Sequence, residues 1–265
     1  MDNRKIGIFD SGVGGLTVVN EVFKYLPGEE IIYFGDTARV PYGSKSKGTV
    51  LKYSFQIVDF LLTRDVKALI VACGTISSNC CGDLRAAYDI PMVEVVTPGA
   101  EESVRRTKNK RIGVIGTEMT VKSGAFERHI MRLDPAIDVY SKACPLFVPL
   151  AEEGWIDNEV TAKTAEIYLN GFTEKNIDTL LIGCTHYPLL INCIQGVLGG
   201  VNIVNPAEAA AKKMLSYLAD NDMLRETDKK PDHIFYISDD TDKFDMVSRL
   251  ALKKQYRAVK IDIGE

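Results

Sequence analysis

Several features that mark particular protein classes are missing from this 265-residue sequence. It has no apolar run long enough to span a bilayer, which argues against a membrane protein. It also has no low-complexity segment and no basic block, since 32 Lys and Arg stand against 36 Asp and Glu. A mildly acidic chain of this kind is a poor candidate for general nucleic-acid binding. The charged start, Met1 to Lys5, leads directly into a strand pattern rather than a secretory signal, so we expect a cytoplasmic protein.

The six cysteines lack the spacing of a metal site. None belongs to a C-x-x-C pair, and no two lie near a histidine at zinc-finger spacing, so we expect no structural metal. In a reducing compartment they are expected to be free thiols. Four of them fit the common role of a small buried apolar residue, namely Cys80, Cys81, Cys144 and Cys193. The other two have a context that indicates chemistry.

What the sequence does contain is a regular alternation of short apolar runs and helical patterns. The runs predict strands at Ile6–Phe9, Ile31–Phe34, Ala68–Val71, Met92–Val95, Arg111–Ile115, Ile137–Tyr140, Thr179–Ile182, Asn202–Val204 and Ile234–Ser238. Helical patterns lie between them, including Gly15–Tyr25, Gly48–Arg64 and Thr161–Lys175. Continuous apolar strands that alternate with helices are typical of mainly parallel sheets covered on both faces, so we predict an α/β fold. The most polar stretch, Asp220–Asp232, is expected to be a surface connection.

A weak internal repeat divides the chain into two similar parts. Ile6-Gly7-Ile8 has a counterpart in Ile112-Gly113-Val114, and the run that ends at Cys73 has one in the run that ends at Cys184. The offsets are all close to 106–111 residues. Each part would then carry a cysteine just past its third strand. Because ligands of open parallel sheets bind beyond the carboxyl ends of the strands, we expect both cysteines in a cleft between the two parts.

The glycine-rich turn Asp10–Gly15 connects the first predicted strand to a helix. Amides at a helix N-terminus could bind a carboxylate or a phosphate. A dinucleotide-binding fingerprint is the competing interpretation, with Asp36 in the place of the acidic ribose ligand. That fingerprint requires a third glycine where Thr17 stands, so the pattern favours a tight turn with or without a small anionic ligand.

Cys73 and Cys184 are the strongest candidates for catalysis. A cysteine at a strand end, followed by a helix N-terminus, gains help in ionising from the positive end of the helix dipole. Two thiols on opposite sides of one substrate carbon suit racemisation, because one can take the α-proton while the other returns a proton to the other face. The hydroxyls of Thr75 and Thr185 could orient a small polar ligand, and neutralising a substrate carboxylate makes the carbanion easier to form.

At this point the sequence resembles the glutamate racemases of bacterial cell-wall synthesis. The resemblance spans nearly the whole chain and rests on Ile6–Thr17, Tyr33–Gly43, Val71–Cys73, Val148–Glu152, Gly183–Leu189 and Tyr236–Asp240. It implies two pseudo-symmetric α/β domains, residues 1–97 with 208–265 and residues 98–207, with the active site between them. It also implies racemisation of L- and D-glutamate for peptidoglycan synthesis, without pyridoxal phosphate or a metal, and a homodimer.

The resemblance also implies roles for individual residues. Cys73 would deprotonate D-glutamate with help from Asp10, and Cys184 would deprotonate L-glutamate with help from Glu152 and His186. Substrate contacts are expected from Asp10, Ser11, Pro41, Tyr42, Gly43, Gly74, Thr75, Thr185 and His186.

One position departs from the family pattern. After the first cysteine the family usually has Asn, whereas this chain has Gly74. A lost hydrogen bond to a charged ligand group costs roughly 1.5–3 kcal/mol, so the sequence predicts a weakened racemase with a gap that a water could fill. Asn at position 74 is then expected to raise turnover.

Two other functions stay open on the sequence alone. A racemase of the same family for aspartate or another small acid would differ in pocket size, which a substrate panel would reveal. A non-catalytic amino-acid-binding or regulatory homologue would bind glutamate without turnover, and Gly74 is the feature that favours it.

Overall fold

A computed structural model describes residues 1–227, 229–239 and 241–264, and it contains two parallel sheets flanked by helices. The strands are β1 Ile6–Asp10, β2 Ile31–Gly35, β3 Ala68–Val71, β4 Met92–Glu94, β5 Arg111–Gly116, β6 Asp138–Ala143, β7 Thr179–Ile182, β8 Asn202–Val204, β9 Ile234–Ile237 and β10 Ala258–Lys260. The helices are α1 Leu16–Tyr25, α2 Lys47–Leu62, α3 Gly74–Ala87, α4 Val96–Arg106, α5 Glu118–Ser123, α6 Ala125–Leu133, α7 Phe147–Glu152, α8 Glu159–Glu174, α9 Ile191–Val197, α10 Pro206–Asp220 and α11 Thr241–Leu252. The predicted α/β fold is confirmed. Asp240, which ends the last segment of the family resemblance, lies outside the described residues.

The six-stranded sheet has the order β10-β9-β2-β1-β3-β4, and the four-stranded sheet has the order β6-β5-β7-β8. Both sheets therefore contain the same arrangement, in which the first strand lies between the second and the third. The described strand pairings are parallel. The internal repeat seen in the sequence thus corresponds to two sheets of matching topology, and β3 and β7 are equivalent strands.

Each sheet is covered on both faces by apolar side chains. In β1, Ile6 and Ile8 pack toward α1, α10 and α11, whereas Phe9 packs toward α2 and α3 on the other face. Two further clusters flank the four-stranded sheet in the same way. Burial on both faces explains why these strands are continuous apolar runs in the sequence.

For reference, the first half denotes the six-stranded sheet with α1, α2, α3 and α11, and the second half denotes the four-stranded sheet with α5 to α9. Helices α4 and α10 pack on each other at the junction between the halves. The predicted domain breaks, after residues 97 and 207, fall inside these two helices. The division into two domains therefore stays a prediction. No described helix has the length and apolar character needed to cross a membrane.

Candidate active site

A cavity of about 540 Å³ lies between the two halves, where the carboxyl ends of β3 and β7 face each other. Cavities that bind small molecules typically have this size. All but one of the residues predicted from the sequence line it, namely Ser11, Pro41, Tyr42, Gly43, Cys73, Gly74, Thr75, Glu152, Cys184, Thr185 and His186. Each sheet contributes one cysteine. The remaining predicted residue, Asp10, is fully buried behind the cavity wall.

Cys73 precedes α3, and its thiol is almost completely buried. The Sγ atom donates to Ser11 Oγ at 3.4 Å. Burial, with the negative charge of Asp10 in second place, raises the pKa of Cys73 to about 12. The predicted help from the helix is present, since the backbone N–H of Ile76 acts to lower this pKa, but burial and Asp10 outweigh it. At neutral pH Cys73 is therefore a thiol that can donate a proton.

Cys184 has a different partner. Its Sγ lies 3.9 Å from Nδ1 of His186, whose Nε2 lies 3.1 Å from Oε1 of Glu152. Burial acts to lower the pKa of His186, but the hydrogen bonds to Cys184 and Glu152 outweigh it and raise the pKa to about 10. The imidazole is therefore charged at neutral pH, and it places a positive charge beside the sulfur of Cys184.

The expectation of an α-helix N-terminus directly behind Cys184 is wrong. The chain continues through a 3₁₀ turn, Tyr187–Leu190, and α9 begins only at Ile191. Pro188 stands inside this turn, and Leu190 rather than His186 precedes α9. In the second half, His186 therefore stands beside the cysteine where the first half has a helix N-terminus.

The sequence suggested that the glycine-rich turn after β1 offers exposed amides to a ligand. In the structure, this turn is mostly buried. Apart from Ser11 the turn is buried, and the N–H of Gly12 donates to Asp10 Oδ2 at 3.1 Å. Thr185 Oγ1 donates to the other carboxylate oxygen of Asp10 at 3.3 Å. A Cβ at Gly14 would lie 2.5 Å from both Thr185 Oγ1 and His186 Nδ1. The turn therefore packs directly on the strand end that carries Cys184, and glycine is required for this close approach.

The loop that contains Pro41, Tyr42 and Gly43 closes another side of the cavity, and its Val40–Pro41 peptide is cis. The Tyr42 hydroxyl donates to Asp36, which also accepts from Arg39 Nε and Ser238 Oγ. Asp36 is thus fully buried and occupied, so it does not serve as a ribose ligand. The carbonyl of Gly43 accepts from the N–H of Met119 at 3.2 Å, which ties the loop to the second half.

Position 74 is not the gap that the sequence predicted. A Cβ on Gly74 would lie 2.1 Å from the carbonyl oxygen of Gly183 and 3.8 Å from the Cα of Cys184. Backbone from the second half therefore occupies the place where a side chain would begin. The glycine allows α3 and the end of β7 to approach closely beside the two thiols.

Sequence reasoning missed some of the residues that line the cavity, including Thr117, Glu118 and Lys243. Thr117 could have been found, because the repeat offset of 106 residues places it opposite Ser11. Its Oγ1 lies 3.0 Å from Thr75 Oγ1, so hydroxyls of both halves meet at the cavity wall. Lys243 had no local signal, since α11 reaches the cavity only through the tertiary fold.

The lining combines two thiols, several hydroxyls and one imidazole, which suits proton transfer on a small polar ligand. The six cysteines are all free and buried. Within the described part of the chain, no cluster of three or more His, Cys, Asp or Glu is arranged to hold a metal ion.

Comparison with known proteins gives a consistent result. The family model described as Asp/Glu/Hydantoin racemase matches residues 7–214. A glutamate racemase of Geobacter metallireducens is 50% identical over 237 residues, which cover 89% of this chain and 88% of that protein. The crystal structure of Francisella tularensis glutamate racemase in complex with D-glutamate has a TM-score of 0.93, 39% identity and 99% coverage of both chains. Glutamate racemase isoform RacE1 of Bacillus anthracis has a TM-score of 0.95 and 36% identity, covering 99% of this chain and 98% of its own.

Proposed function

Because this chain belongs to the Asp/Glu/hydantoin racemase family, among its glutamate racemases, and is therefore an isomerase, we propose that it racemises glutamate by transferring protons at two thiols. Cys73 and Cys184 are the two groups, and neither a metal nor an organic cofactor takes part. The observation that carries the proposal is that the two sheets each contribute one cysteine to the same cavity.

In the direction from L- to D-glutamate, the Cys184 thiolate takes the α-proton and becomes a thiol. The electron pair of the broken C–H bond stays on the α-carbon, and the Cys73 thiol donates its proton to the opposite face. The product is D-glutamate with a Cys73 thiolate, and the reverse direction uses the same steps in reverse order. The contrast between a protonated Cys73 and a Cys184 beside an imidazolium supports this assignment.

The negative charge that develops during the reaction needs stabilisation. We infer that hydroxyls at the cavity wall, from Ser11, Thr75 and Thr117, bind the substrate carboxylates. Hydroxyl donors fixed by the fold cost little reorganisation when charge develops on the ligand. Asp10 does not contact the substrate in this scheme. It acts on Cys73 through its charge and on Thr185 through a hydrogen bond.

Solvent deuterium tests the proposal directly. Each enantiomer of glutamate is incubated in deuterated water, and both substrate and product are analysed early by mass spectrometry. Two separate bases predict deuterium at the α-carbon of the product, whereas the unreacted enantiomer keeps its protium. A product that retains protium would show a single base acting on both faces. Aspartate in the same assay tests the alternative substrate, and we expect little turnover of it.

We also propose that the D-glutamate supplies peptidoglycan synthesis in the cytoplasm, as the family resemblance implies. Expression of the chain in a bacterial strain that requires D-glutamate should relieve this requirement. A variant without Cys73 serves as the matched control. Continued dependence on D-glutamate, although the chain is produced and active in vitro, would contradict the cellular role and leave the reaction itself unaffected.

A further inference from the structure

Lys243 lies on α11 of the first half, yet its charged group reaches a carboxylate of the second half. Its Nζ lies 3.4 Å from Oε2 of Glu152 and 3.9 Å from Oε1 of Glu153. Among the described residues that line the cavity, it is the one lysine or arginine. The pair therefore spans the cleft at the edge of the site.

Glu152 uses its two carboxylate oxygens for different partners. Oε2 faces Lys243, whereas Oε1 lies 3.1 Å from Nε2 of His186. With Oε2 held by a cation from α11, Oε1 is directed at the imidazole ring. His186 in turn presents Nδ1 to the sulfur of Cys184. Four groups thus form a continuous chain from α11 to the second thiol.

Charge reinforces this geometry. Burial acts to raise the pKa of Glu152, but its contacts with His186 and Lys243 outweigh burial and lower it. Glu152 is consequently a carboxylate that can hold the imidazolium. The side chain of Glu152 is 13% exposed and that of Lys243 is 44% exposed, so the contact is partly open to solvent and screened by salt.

We propose that Lys243 is a positioning residue for the Cys184 side of the reaction, acting through Glu152 and His186. This inference rests on the two-thiol function proposed above. In this role, Lys243 gives α11 a part in proton transfer at Cys184, and the reaction at Cys73 does not depend on Lys243. An ion pair that only held α11 against α7 would instead affect both thiols alike.

A test must measure proton removal by Cys184 and by Cys73 separately, and a racemisation assay does not do this. The enantiomers of glutamate have equal free energy, so any variant must change kcat/KM by the same factor in both directions. Elimination of chloride from 3-chloroglutamate avoids this constraint. One base removes the α-proton, the electron pair forms a double bond to the β-carbon, and chloride leaves irreversibly. The L-analogue then reports on Cys184 and the D-analogue on Cys73.

For Lys243→Met we expect chloride release from the L-analogue to fall about 1.4- to fivefold, the range for an exposed ion pair, whereas the D-analogue reacts at an unchanged rate. Lys243→Arg should restore most of the loss, because it keeps the charge. Glu153→Gln is the matched control, since it removes the second contact of Lys243 but leaves Glu152 in place. Thermal melting of each variant establishes that it is folded, and Lys243→Gln provides a second neutral variant.

Equal losses with both analogues, or no loss with either, would overturn the proposal. Cys184→Ser in the same assay keeps the two hypotheses apart. If it abolishes chloride release from the L-analogue while Lys243→Met has no effect, the two-thiol reaction stands and only the role of Lys243 fails. If Cys184→Ser leaves the L-analogue reactive, the underlying function fails.

Discussion

Cys73 and Cys184 follow equivalent strands of two sheets with the same strand order, yet their surroundings differ in kind. Cys73 has a hydroxyl partner, Ser11, and a buried carboxylate nearby, and burial together with the charge of Asp10 favours a thiol that keeps its proton. Cys184 has a charged imidazole as its neighbour, and Glu152 holds that imidazole. The repeat has preserved the positions of the two cysteines but not the groups around them. Under the proposed two-thiol reaction, the two sides of the cavity therefore differ in how they support proton transfer.

Replacing either thiol tests the comparison most severely. Cys73→Ser and Cys184→Ser should each lower racemisation by about a thousandfold, because a serine hydroxyl is a far weaker acid and base than a thiol. Cys73→Ser should still eliminate chloride from the L-analogue, which Cys184 deprotonates. Cys184→Ser should still eliminate chloride from the D-analogue, which Cys73 deprotonates. Cys193→Ser is the control, since Cys193 lies against Ile156 away from the cavity. Full racemase activity in either of the first two variants would contradict the assigned roles.

Replacing His186 should make the surroundings of Cys184 more similar to those of Cys73. His186→Asn removes the charge beside Cys184, and we expect kcat/KM to fall by about 10- to 100-fold. In the wild type, His186 holds its proton below its pKa of about 10, so kcat/KM should decline as the pH rises through that value. The variant should lack this decline. A profile of kcat/KM against pH for both proteins provides the measurement, and an unchanged alkaline limb in the variant would assign that limb to another group.

Substitutions at position 74 test how closely the two halves pack beside the two thiols. The family pattern suggested that Asn would improve activity, but the carbonyl of Gly183 leaves no room for a side chain. Overpacking costs about 1–3 kcal/mol of folding free energy, so Gly74→Asn should destabilise the protein by about that amount and lower turnover as well, and Gly74→Ala should lower turnover less. Steady-state kinetics measure both.

Gly82→Ala is the matched control for position 74, because Gly82 lies in the same helix with no atom within 4 Å of an added Cβ. It should leave activity unchanged and stabilise the protein by about 0.5–1 kcal/mol, since alanine favours a helix. Higher turnover in Gly74→Asn would restore the earlier interpretation, in which a missing hydrogen bond limits the rate.

The smallest effect is expected at Ser11, on the Cys73 side. Ser11→Ala removes the hydroxyl that accepts from the Cys73 thiol. We expect chloride release from the D-analogue to fall about threefold, the cost of one modest hydrogen bond, with less change for the L-analogue. Lys243→Met is expected to affect mainly the L-analogue, and Ser11→Ala mainly the D-analogue, so the two variants test opposite sides of the cavity. A larger loss with the L-analogue would contradict the contribution of Ser11 to the Cys73 side.

The sequence predicted the buried parts of this molecule better than its edges. Strands such as β3 and β7 are buried on both faces, so their apolar runs were clear and the cysteines behind them were correctly placed in one cavity. The edge strands β6 and β10 are partly exposed and lack such runs. The sequence therefore misplaced the bounds of β6 and missed β10 completely.

Contacts between the halves were beyond sequence reasoning. Nothing local indicates that Gly74 meets Gly183, or that Lys243 reaches Glu152, because each pair joins segments far apart in the chain. Asp10 was assigned a substrate contact from the family pattern, whereas its complete burial places it behind the cavity. Local patterns thus identified residues that line the cavity, and tertiary structure determined what surrounds them.

The approach of Gly14 to His186 links the packing of the two halves to the Cys184 side of the cavity. This contact, and the hydrogen bond from Thr17 Oγ1 to the carbonyl of Thr185 at 2.8 Å, run through the residues that follow Cys184. A larger side chain at position 14 would therefore displace Thr185 and His186 as well as the junction of the halves.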